Sequence, residues 1–501
     1  MTLTSPALPD HVRVAVIGSG FAGLGTAVRL MQEGIEDFVL LERADGLGGT
    51  WRDNTYPGCA CDVPSHLYSF SFAPNPDWSH VFSRQPEIRA YLERTARDFG
   101  VLPHLHTGTD VLAADWDDAA QHWRLRTSRG DLTADVVVSG CGGLVEPRLP
   151  DVPGLGDFEG VAFHSARWDH TCDLTGKRVG VVGTGASAIQ FVPEIRQAAA
   201  HTTVFQRTAP WVVPRRDRAL SRVERAAFTR FPAVQKAARG GIYALRELNL
   251  LAFTGKGRMR AAGEREALKH LARQVPDPAL REVLTPDYQM GCKRVLISND
   301  YFPAVASPDV TVVPHGVREV RAHSVITADG SEHEVDVLIF GTGFAVMDIP
   351  VARRITGRTG QTLTDHWAGR PRAHRGTTVA GFPNLFLLLG PNTALGHSSV
   401  VLMIEAQIAY VMGALREMGR EGASSVEVRE QAQTAYNVDL QRQLETTVWH
   451  RGGCKAWYTD ADGHNFTLWP THTFTFRSQT RRFDAEAYEL RVATTPALEP
   501  V

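Results

Sequence analysis

The stretch Val12-Arg-Val-Ala-Val-Ile17-Gly18-Ser-Gly20-Phe-Ala-Gly23 decides the fold. Its first half is a short apolar run, typical of a buried parallel strand, and apolar residues at helical spacing follow its last glycine. In this pattern the first glycine permits the tight strand-to-helix turn, the second lets a pyrophosphate approach the backbone, and the third lets the helix pack closely on the sheet. A second apolar run at Phe38–Leu41 completes a β-α-β unit, which predicts a dinucleotide site.

The same layout recurs in the middle of the chain. The apolar run Val179–Val182 leads into Gly183-Thr-Gly185-Ala-Ser187-Ala188, in which alanine takes the third position, as the pattern allows. A helix over about 186–198 and a strand at 203–205 are predicted to follow. The sequence therefore predicts an α/β fold with two Rossmann-like dinucleotide-binding domains, and Gly183, Gly185 and Ser187 are expected at the second dinucleotide.

The two fingerprints end in opposite charges. Glu42 lies 19 residues after Gly23, and Arg207 lies 19 residues after Ala188. A carboxylate at this point accepts hydrogen bonds from ribose hydroxyls and repels a 2′-phosphate, whereas a guanidinium holds that phosphate by charge-assisted hydrogen bonds. We therefore expect FAD, or NAD as the alternative, at the first site and NADPH at the second. Two such sites in one chain imply hydride transfer from nicotinamide to flavin.

The coarse pattern along the chain predicts an interrupted first domain. Residues 1–145 are expected to form the first part of the FAD-binding domain, and residues 146–369 the NADPH-binding domain. Residues 370–501 then return to the first domain and add a C-terminal active-site segment. A stretch rich in Ala, Arg, Glu and Leu at helical spacing predicts a helical insertion at about 217–290.

Composition and cysteine spacing restrict the function classes. The chain has 501 residues, of which 43% are apolar and 22% charged, and its formal net charge is −2, so a nucleic-acid partner is not expected. The sequence contains no run of about 18 apolar residues, so no membrane span is predicted. The cysteines form no C-x-x-C array, so neither a metal site nor dithiol chemistry is predicted, and reduced thiols and a cytoplasmic location are the default expectation. The six cysteines are Cys59 and Cys61, which are interpreted as small buried residues, and Cys141, Cys172, Cys292 and Cys454.

The connection between the two fingerprints carries a family resemblance. Phe158-Glu-Gly160-Val-Ala-Phe-His164-Ser-Ala-Arg-Trp168-Asp169 matches F-x-G-x-x-x-H-x-x-x-W-[PD]. This segment resembles the signature of type I Baeyer–Villiger monooxygenases, which are related to the flavin-containing monooxygenases. The resemblance implies FAD, NADPH, O2 and a small-molecule ketone, converted to an ester or lactone through a flavin C4a-peroxide.

Further segments are similar to this family. Gly48-Gly49-Thr50-Trp51 and Tyr56–Asp62 resemble its flavin-contacting segment, and Gly291-Cys-Lys293-Arg294 resembles the segment with its active-site arginine. Asp336–Phe344 resembles its A-T-G strand, with Gly341 in place of the usual alanine. Gly390-Pro-Asn392 and Trp457 are similar to segments near the flavin and nicotinamide.

The resemblance implies roles for individual residues. Arg294 is the expected catalytic residue, because an arginine stays protonated and can hold an anionic oxygen. Asp62 is expected to pair with Arg294 and orient it, or else to cap a turn. Lys293, Arg207 and Thr208 are expected around the 2′-phosphate.

Two residues of the resemblance keep open alternatives. His164 is expected to couple domain motion or simply to pack, and Trp457 to lie over the nicotinamide or at the rim.

The alternative functions are heteroatom (N or S) oxygenation by the same cofactors, and an NADPH-consuming flavoprotein reductase or oxidase.

Overall fold

The computed structural model describes residues 6–492, apart from 255–256, 347–349, 455 and 461. Its strands, in chain order, are β1 (His11–Ile17), β2 (Phe38–Leu41), β3 (Leu105–His106), β4 (Val111–Asp117), β5 (His122–Thr127), β6 (Gly130–Ser139), β7 (Val161–His164), β8 (Arg178–Val182), β9 (His201–Phe205), β10 (Val212–Val213), β11 (Leu296–Ile297), β12 (Val310–Val313), β13 (Val317–Arg321), β14 (Ser324–Thr327), β15 (Glu332–Glu334), β16 (Val337–Phe340), β17 (Ile355–Thr356), β18 (Leu385–Leu387), β19 (Ser425–Val428) and β20 (Tyr488–Arg491).

The α-helices, in chain order, are α1 (Phe21–Gln32), α2 (Thr50–Asp53), α3 (Gln85–Asp98), α4 (Ala188–Ile195), α5 (Arg222–Arg230), α6 (Pro232–Leu248), α7 (Leu250–Thr254), α8 (Arg258–Gln274), α9 (Pro278–Val283), α10 (Tyr301–Val305), α11 (Leu363–Trp367), α12 (Val400–Glu421), α13 (Glu430–Leu444), α14 (Val448–Arg451) and α15 (Thr473–Thr480). Short 3-10 helices lie at Leu102–His104, Leu155–Asp157, Ser165–Arg167, Pro350–Arg354 and Ala485–Ala487. No helix of the described residues is both long and apolar enough to cross a membrane.

The first sheet has eight strands, and we call this sheet together with α1 and α12 the first nucleotide unit. Their order is β17-β4-β5-β6-β1-β2-β3, and β18 also pairs with β6. β1 alternates between two cores, because Val14 and Val16 face the helices whereas Ala15 and Ile17 face the opposite side. This two-sided burial explains why β1 is a continuous apolar run. The carboxyl end of β1 leads into α1, as the first fingerprint predicted.

The second sheet has five parallel strands in the order β12-β9-β8-β16-β7. We call this sheet together with α4 the second nucleotide unit. Val179 and Val181 of β8 are fully buried on one face, and Leu338 and Phe340 of β16 pack on the other. Both units carry the strand-turn-helix that the fingerprints predicted, so the α/β fold with two Rossmann-like units is confirmed.

Helices α5 to α9 form an insertion between β10 and β11, and they lie within the predicted range of 217–290. The return to the first unit begins earlier along the chain than residue 370. Ile355 of β17 pairs with Ala114 of β4, and Leu363 and Trp367 of α11 are buried in the same core. The short strand β17 is too brief to stand out as an apolar run, which is why the sequence did not indicate it.

The expectation of reduced cysteines is wrong for one pair. Cys292 and Cys454, which are 162 residues apart, form a disulfide. It joins the segment before Arg294 to the segment after α14. Sequence spacing does not indicate such a bond, because it depends on tertiary approach of distant segments. Cys59 and Cys61 are free and buried, as predicted.

Candidate active site between two dinucleotide sites

The first glycine turn excludes a side chain at its first and third glycines. Gly18 has φ +90°, and a Cβ on Gly23 would lie 1.7 Å from the Gly18 carbonyl oxygen. A Cβ on Gly49 would lie 3.1 Å from the Cα of Gly20, so the turn also meets the segment before α2 through two glycines. Backbone N–H groups at the start of α1 are thereby left accessible to an anion, and this cradle fits a pyrophosphate.

Glu42, at the end of β2, is held from four directions. Its Oε2 accepts the Ser19 N–H at 3.0 Å and the Ser19 hydroxyl at 2.6 Å, and its Oε1 accepts the Ala44 N–H at 3.0 Å. The Arg52 guanidinium lies 2.9 Å from Oε1. Burial favours the neutral carboxyl, but Arg52 and these hydrogen bonds hold the pKa of Glu42 below its ordinary value. The carboxylate is charged and fixed without a ligand, so a ribose hydroxyl would have to share one of its lone pairs.

The predicted flavin-contacting segment forms α2. Thr50 begins the helix, and Trp51 is buried with its indole N–H donating to the Tyr68 hydroxyl at 3.0 Å. Gly49, directly before the helix, has φ +52°. The segment therefore presents backbone and a fixed indole beside the first glycine turn.

The second glycine turn repeats this geometry with one exchange. Gly183 has φ +109°, and a Cβ on it would lie 2.6 Å from the Gly341 carbonyl oxygen, while Gly185 leaves its surroundings open. A Cβ on Gly341 would lie 3.2 Å from the Cβ of Ala188. Glycine at 341 thus provides the space that alanine at 188 takes up. Ser187 is half-buried and directly precedes α4.

Two cations converge near the second turn. Arg207 is exposed and makes no hydrogen bond or ion pair within the described residues, and Thr208 beside it is half-buried. Lys293 lies with its Nζ 4.7 Å from the centre of the Tyr288 ring. Burial and then the charge of Arg207 lower the pKa of Lys293. The charge of Asp287 acts in the opposite direction but is the smallest of the three effects. Two cations that repel each other, and that form no ion pair with a carboxylate of the described residues, fit a phosphate.

Arg294 and Asp62 form the ion pair that the resemblance implied. Arg294 Nε and Nη2 donate to Asp62 Oδ2 at 3.0 and 2.6 Å. The charge of Asp62 raises the pKa of Arg294, and burial, which favours the neutral Asp62, is outweighed by Arg294, so the pKa of Asp62 is lowered. Protein groups surround the guanidinium, and 43% of the Arg294 side chain is exposed. A fixed positive charge is therefore available to a reacting group.

Two residues near this pair were not predicted from the sequence. Tyr458 is buried, and burial raises its pKa to about 12, against the opposing effect of the positive charge of Arg294. Arg246 of α6 interacts electrostatically with Asp62 and Arg294. Tyr458 follows Trp457 directly, which was the available signal. Arg246 lies in the insertion, where the sequence resembled the family least.

The signature segment packs around the edge strand β7. A Cβ on Gly160 would lie 2.3 Å from the Asp336 carbonyl oxygen and 2.6 Å from the Phe158 ring, so this position requires glycine. Trp168 packs edge-on against Phe163, with ring centres 5.1 Å apart. Asp169 accepts the Thr171 N–H at 2.9 Å and thereby holds a turn.

His164 lies at the end of β7 beside the glycine turn that follows β16. Its Nδ1 accepts the Ala166 N–H at 3.0 Å, and burial lowers its pKa. The connection from the first unit crosses at the same point, because the Arg148 N–H donates to the Gly343 carbonyl at 2.9 Å. This position agrees with a coupling role and also with simple packing.

The C-terminal residues of the prediction have different settings. Asn392 is buried, and its amide donates to the Asn465 and Leu468 carbonyls at 2.7 and 3.2 Å, so it joins two loops. Trp457 is 46% exposed and packs on Tyr458. Its exposure leaves both the nicotinamide and the rim alternatives open.

Comparisons with known proteins agree with this geometry. Residues 11–237 match the family model described as flavin-binding monooxygenase-like. A Baeyer–Villiger monooxygenase of Streptomyces coelicolor is 52% identical over 96% of this chain and 93% of its own. The structure of cyclohexanone monooxygenase from Rhodococcus sp. Phi1 bound to NADP+ is 29% identical, with a TM-score of 0.85 over 97% of this chain and 100% of that one.

A second solved structure contains both cofactors. OTEMO in complex with FAD and NADP is 26% identical, with a TM-score of 0.86 over 97% of this chain and 100% of that one. The two glycine cradles and the cations at the second one fit these two dinucleotides. The chain belongs to the Baeyer–Villiger monooxygenase family of flavin-binding monooxygenases, and its cofactors are FAD and NADP(H).

Proposed function

We propose that the protein converts a ketone, O2 and NADPH into an ester or lactone, water and NADP+, with Arg294 as the catalytic residue. The observation that carries this proposal is the Arg294–Asp62 pair, in which a carboxylate orients a partly exposed guanidinium directly after Lys293. Bound FAD, once reduced by NADPH, supplies the activation of dioxygen. The protein residues bind, orient and hold charge around that chemistry.

Arg294 holds negative charge as it develops on oxygen. Its guanidinium cannot lose its proton at working pH, and Asp62 raises its pKa further, so it cannot protonate and quench an anionic oxygen. The same group stabilises the carbonyl oxygen of the ketone as negative charge builds there. Asp62 orients Arg294, because both donor nitrogens meet one carboxylate oxygen.

The remaining predicted residues bind and position the cofactors. Arg207, Thr208 and Lys293 hold the 2′-phosphate of NADPH, and Gly183, Gly185 and Ser187 form the turn for its pyrophosphate. The first unit binds FAD through its glycine turn and through Glu42, with residues 49–51 beside the flavin. Asn392 fixes the loop near the flavin, Trp457 contacts the nicotinamide, and the signature segment couples the two units.

Oxygen incorporation tests this function directly. The FAD-loaded protein is incubated with NADPH, a panel of linear and cyclic ketones and isotopically labelled O2. One labelled atom is expected in the ester or lactone and the other in water. A native enzyme that makes sulfoxides but no ester, and whose Arg294→Ala variant retains that activity, would instead be a heteroatom oxygenase.

The Arg294→Ala variant separates catalysis from cofactor binding. It is expected to lose ester formation by a factor of about 100 or more, since removing one such charge stabiliser costs that much in enzymes. FAD content should be unchanged, because the glycine turn of the first unit is intact. An Arg294→Ala variant that still forms ester at the native rate would exclude Arg294 as the catalytic residue.

A further inference from the structure

Arg246 lies on the face of α6 that packs against the active-site segments. Three neighbours on this face are anchored: the Tyr243 hydroxyl contacts the Thr473 hydroxyl at 3.0 Å, Glu247 accepts the Thr473 N–H at 3.0 Å, and Arg239 donates to the Ser69 carbonyl at 3.0 Å. The helix backbone is therefore fixed on both sides of Arg246.

The end of α6 adjoins the catalytic pair. Leu250, one turn after Arg246, is buried in one apolar cluster with Cys292 and Tyr458. Cys292 is two residues from Arg294, and Tyr458 interacts electrostatically with Arg294. The charges of Asp62 and Arg294 both act on the pKa of Arg246, which agrees with this placement.

Arg246 has no partner of its own. It is half-buried, and its guanidinium makes no hydrogen bond and no ion pair with the described part of the chain. Asp62, the acid that acts on both arginines, is already bonded twice to Arg294 through Oδ2. Within the described residues the guanidinium of Arg246 therefore has no carboxylate of its own, and burial lowers its pKa.

The cofactors bring their phosphates elsewhere. The two pyrophosphates belong at the glycine turns after β1 and β8, and the 2′-phosphate belongs at Arg207 and Lys293. None of these positions is at Arg246. An anionic group of the substrate would complete the charge balance, and a guanidinium binds a planar carboxylate with two parallel hydrogen bonds.

We propose that Arg246 is a specificity-determining residue that binds the carboxylate of an oxo-carboxylic acid, so that the preferred ketones are keto acids. This inference rests on the proposed ketone oxygenation. The carboxylate at Arg246 holds the substrate at one end, and the ketone carbonyl at the other end reaches Arg294. A neutral ketone of the same length leaves the half-buried guanidinium of Arg246 unpaired.

The test compares a medium-chain oxo-carboxylic acid with its own methyl ester, which has the same ketone but no charge. The wild type is expected to favour the acid in kcat/KM by a factor of about 10 or more. In Arg246→Gln the kcat/KM for the acid should fall about 10- to 100-fold, mainly through KM, while that for the methyl ester stays within about threefold.

Two further variants complete the design. Arg246→Lys keeps the charge and should recover part of the preference for the acid, which a purely structural role would not produce. Arg230→Gln removes an exposed arginine of α5 whose guanidinium contacts the Phe231 ring, and it should leave both substrates unaffected. FAD content and melting temperature are measured for each variant, so that a folding defect is recognised.

Several outcomes would overturn the inference. An equal loss for acid and methyl ester in Arg246→Gln, or slower flavin reduction by NADPH without substrate, would assign Arg246 to the cofactor instead. A wild type that oxygenates neutral ketones but prefers them to the acids would refute the inference while the proposed function stands. A wild type that incorporates labelled oxygen into neither class would refute the proposed function itself.

Discussion

The two nucleotide units have the same strand-turn-helix but prepare their ligand sites in opposite ways. In the first unit Glu42 is buried and bonded to Ser19, Ala44 and Arg52 before any ligand arrives. In the second unit Arg207 is exposed, forms no ion pair with the described residues, and repels Lys293. The first site is thus charge-balanced by the protein itself, whereas at the second site the pKa of Lys293 stays lowered despite the charge of Asp287, so that an added anion would improve the balance.

This difference in preorganisation agrees with the roles of the two cofactors. A flavin that remains bound through many turnovers benefits from a rigid, preorganised site, because little ordering entropy is then lost on binding. A nicotinamide cofactor that is exchanged benefits from a site in which charge attracts it and its 2′-phosphate selects it. Substitutions at matching positions of the two units test this difference.

The largest effect is expected from Gly23→Ala in the first unit. Its Cβ would lie 1.7 Å from the Gly18 carbonyl oxygen, so α1 would have to move away from β1. We expect a loss of more than about 3 kcal/mol in the free energy of unfolding, together with loss of FAD. Denaturant unfolding and the flavin absorbance of purified protein measure both. The second unit already carries alanine at the matching position, Ala188, so its geometry shows that only the first unit demands glycine there.

Arg207→Ala should break the charge preference of the second unit. The KM for NADPH is expected to rise about 10- to 100-fold, and the KM for NADH should change little, because NADH lacks the phosphate that Arg207 contacts. Steady-state kinetics with both cofactors measure the effect. Arg230→Gln serves as the control for loss of an exposed arginine, and an equal change with NADH would contradict the assigned contact.

Local and long-range features of this chain differ in how far the sequence predicts them. Gly18 has a left-handed backbone, and a Cβ on Gly23 would clash with the Gly18 carbonyl oxygen, so both requirements arise within a few residues. Their pattern therefore predicts the turn, the adjacent strand and the helix. The opposite charges of Glu42 and Arg207 follow from the same register.

Features that depend on tertiary approach were not predictable. The Cys292–Cys454 bond and the pairing of Ile355 with Ala114 join residues that are far apart in the chain. Arg246 belongs to an amphipathic insertion helix, where an arginine in the site and an arginine in solvent produce the same pattern. Only the packing of α6 distinguishes these two cases.

A smaller effect is expected at the glycine that directly follows a central strand in each unit, Gly140 after β6 and Gly341 after β16. In Gly140→Ala the new Cβ would lie 2.7 Å from the Gly23 nitrogen, which is fixed backbone, and we expect a loss of about 1–3 kcal/mol in the free energy of unfolding. In Gly341→Ala the new Cβ would lie 3.2 Å from the Cβ of Ala188, which needs a shift of only tenths of an ångström. That loss should stay below about 1 kcal/mol. Equal losses in the two variants would contradict the exchange of space between positions 188 and 341.

The smallest effect concerns the pH dependence of the first unit. Since the pKa of Glu42 in the folded protein lies below its ordinary value of 4.5, its charged form stabilises the fold above that pH. This contribution is lost as the pH falls through the lowered pKa, because the carboxyl is then protonated in the folded state as well. In Glu42→Gln the contribution is absent at every pH, and Arg52 lacks its buried partner.

The difference in melting temperature between wild type and Glu42→Gln should therefore be largest near neutral pH, at a few degrees, and should shrink below about pH 4.5. Asp53, which also pairs with Arg52, provides the matched control. Asp53→Asn leaves the bonds from Ser19 and Ala44 to Glu42 intact, so its effect should be smaller. A difference for Glu42→Gln that does not change with pH would mean that hydrogen bonding rather than charge stabilises the end of β2. In that case the contrast between the preformed site at Glu42 and the unbalanced cations at Arg207 and Lys293 would depend on shape and not on charge.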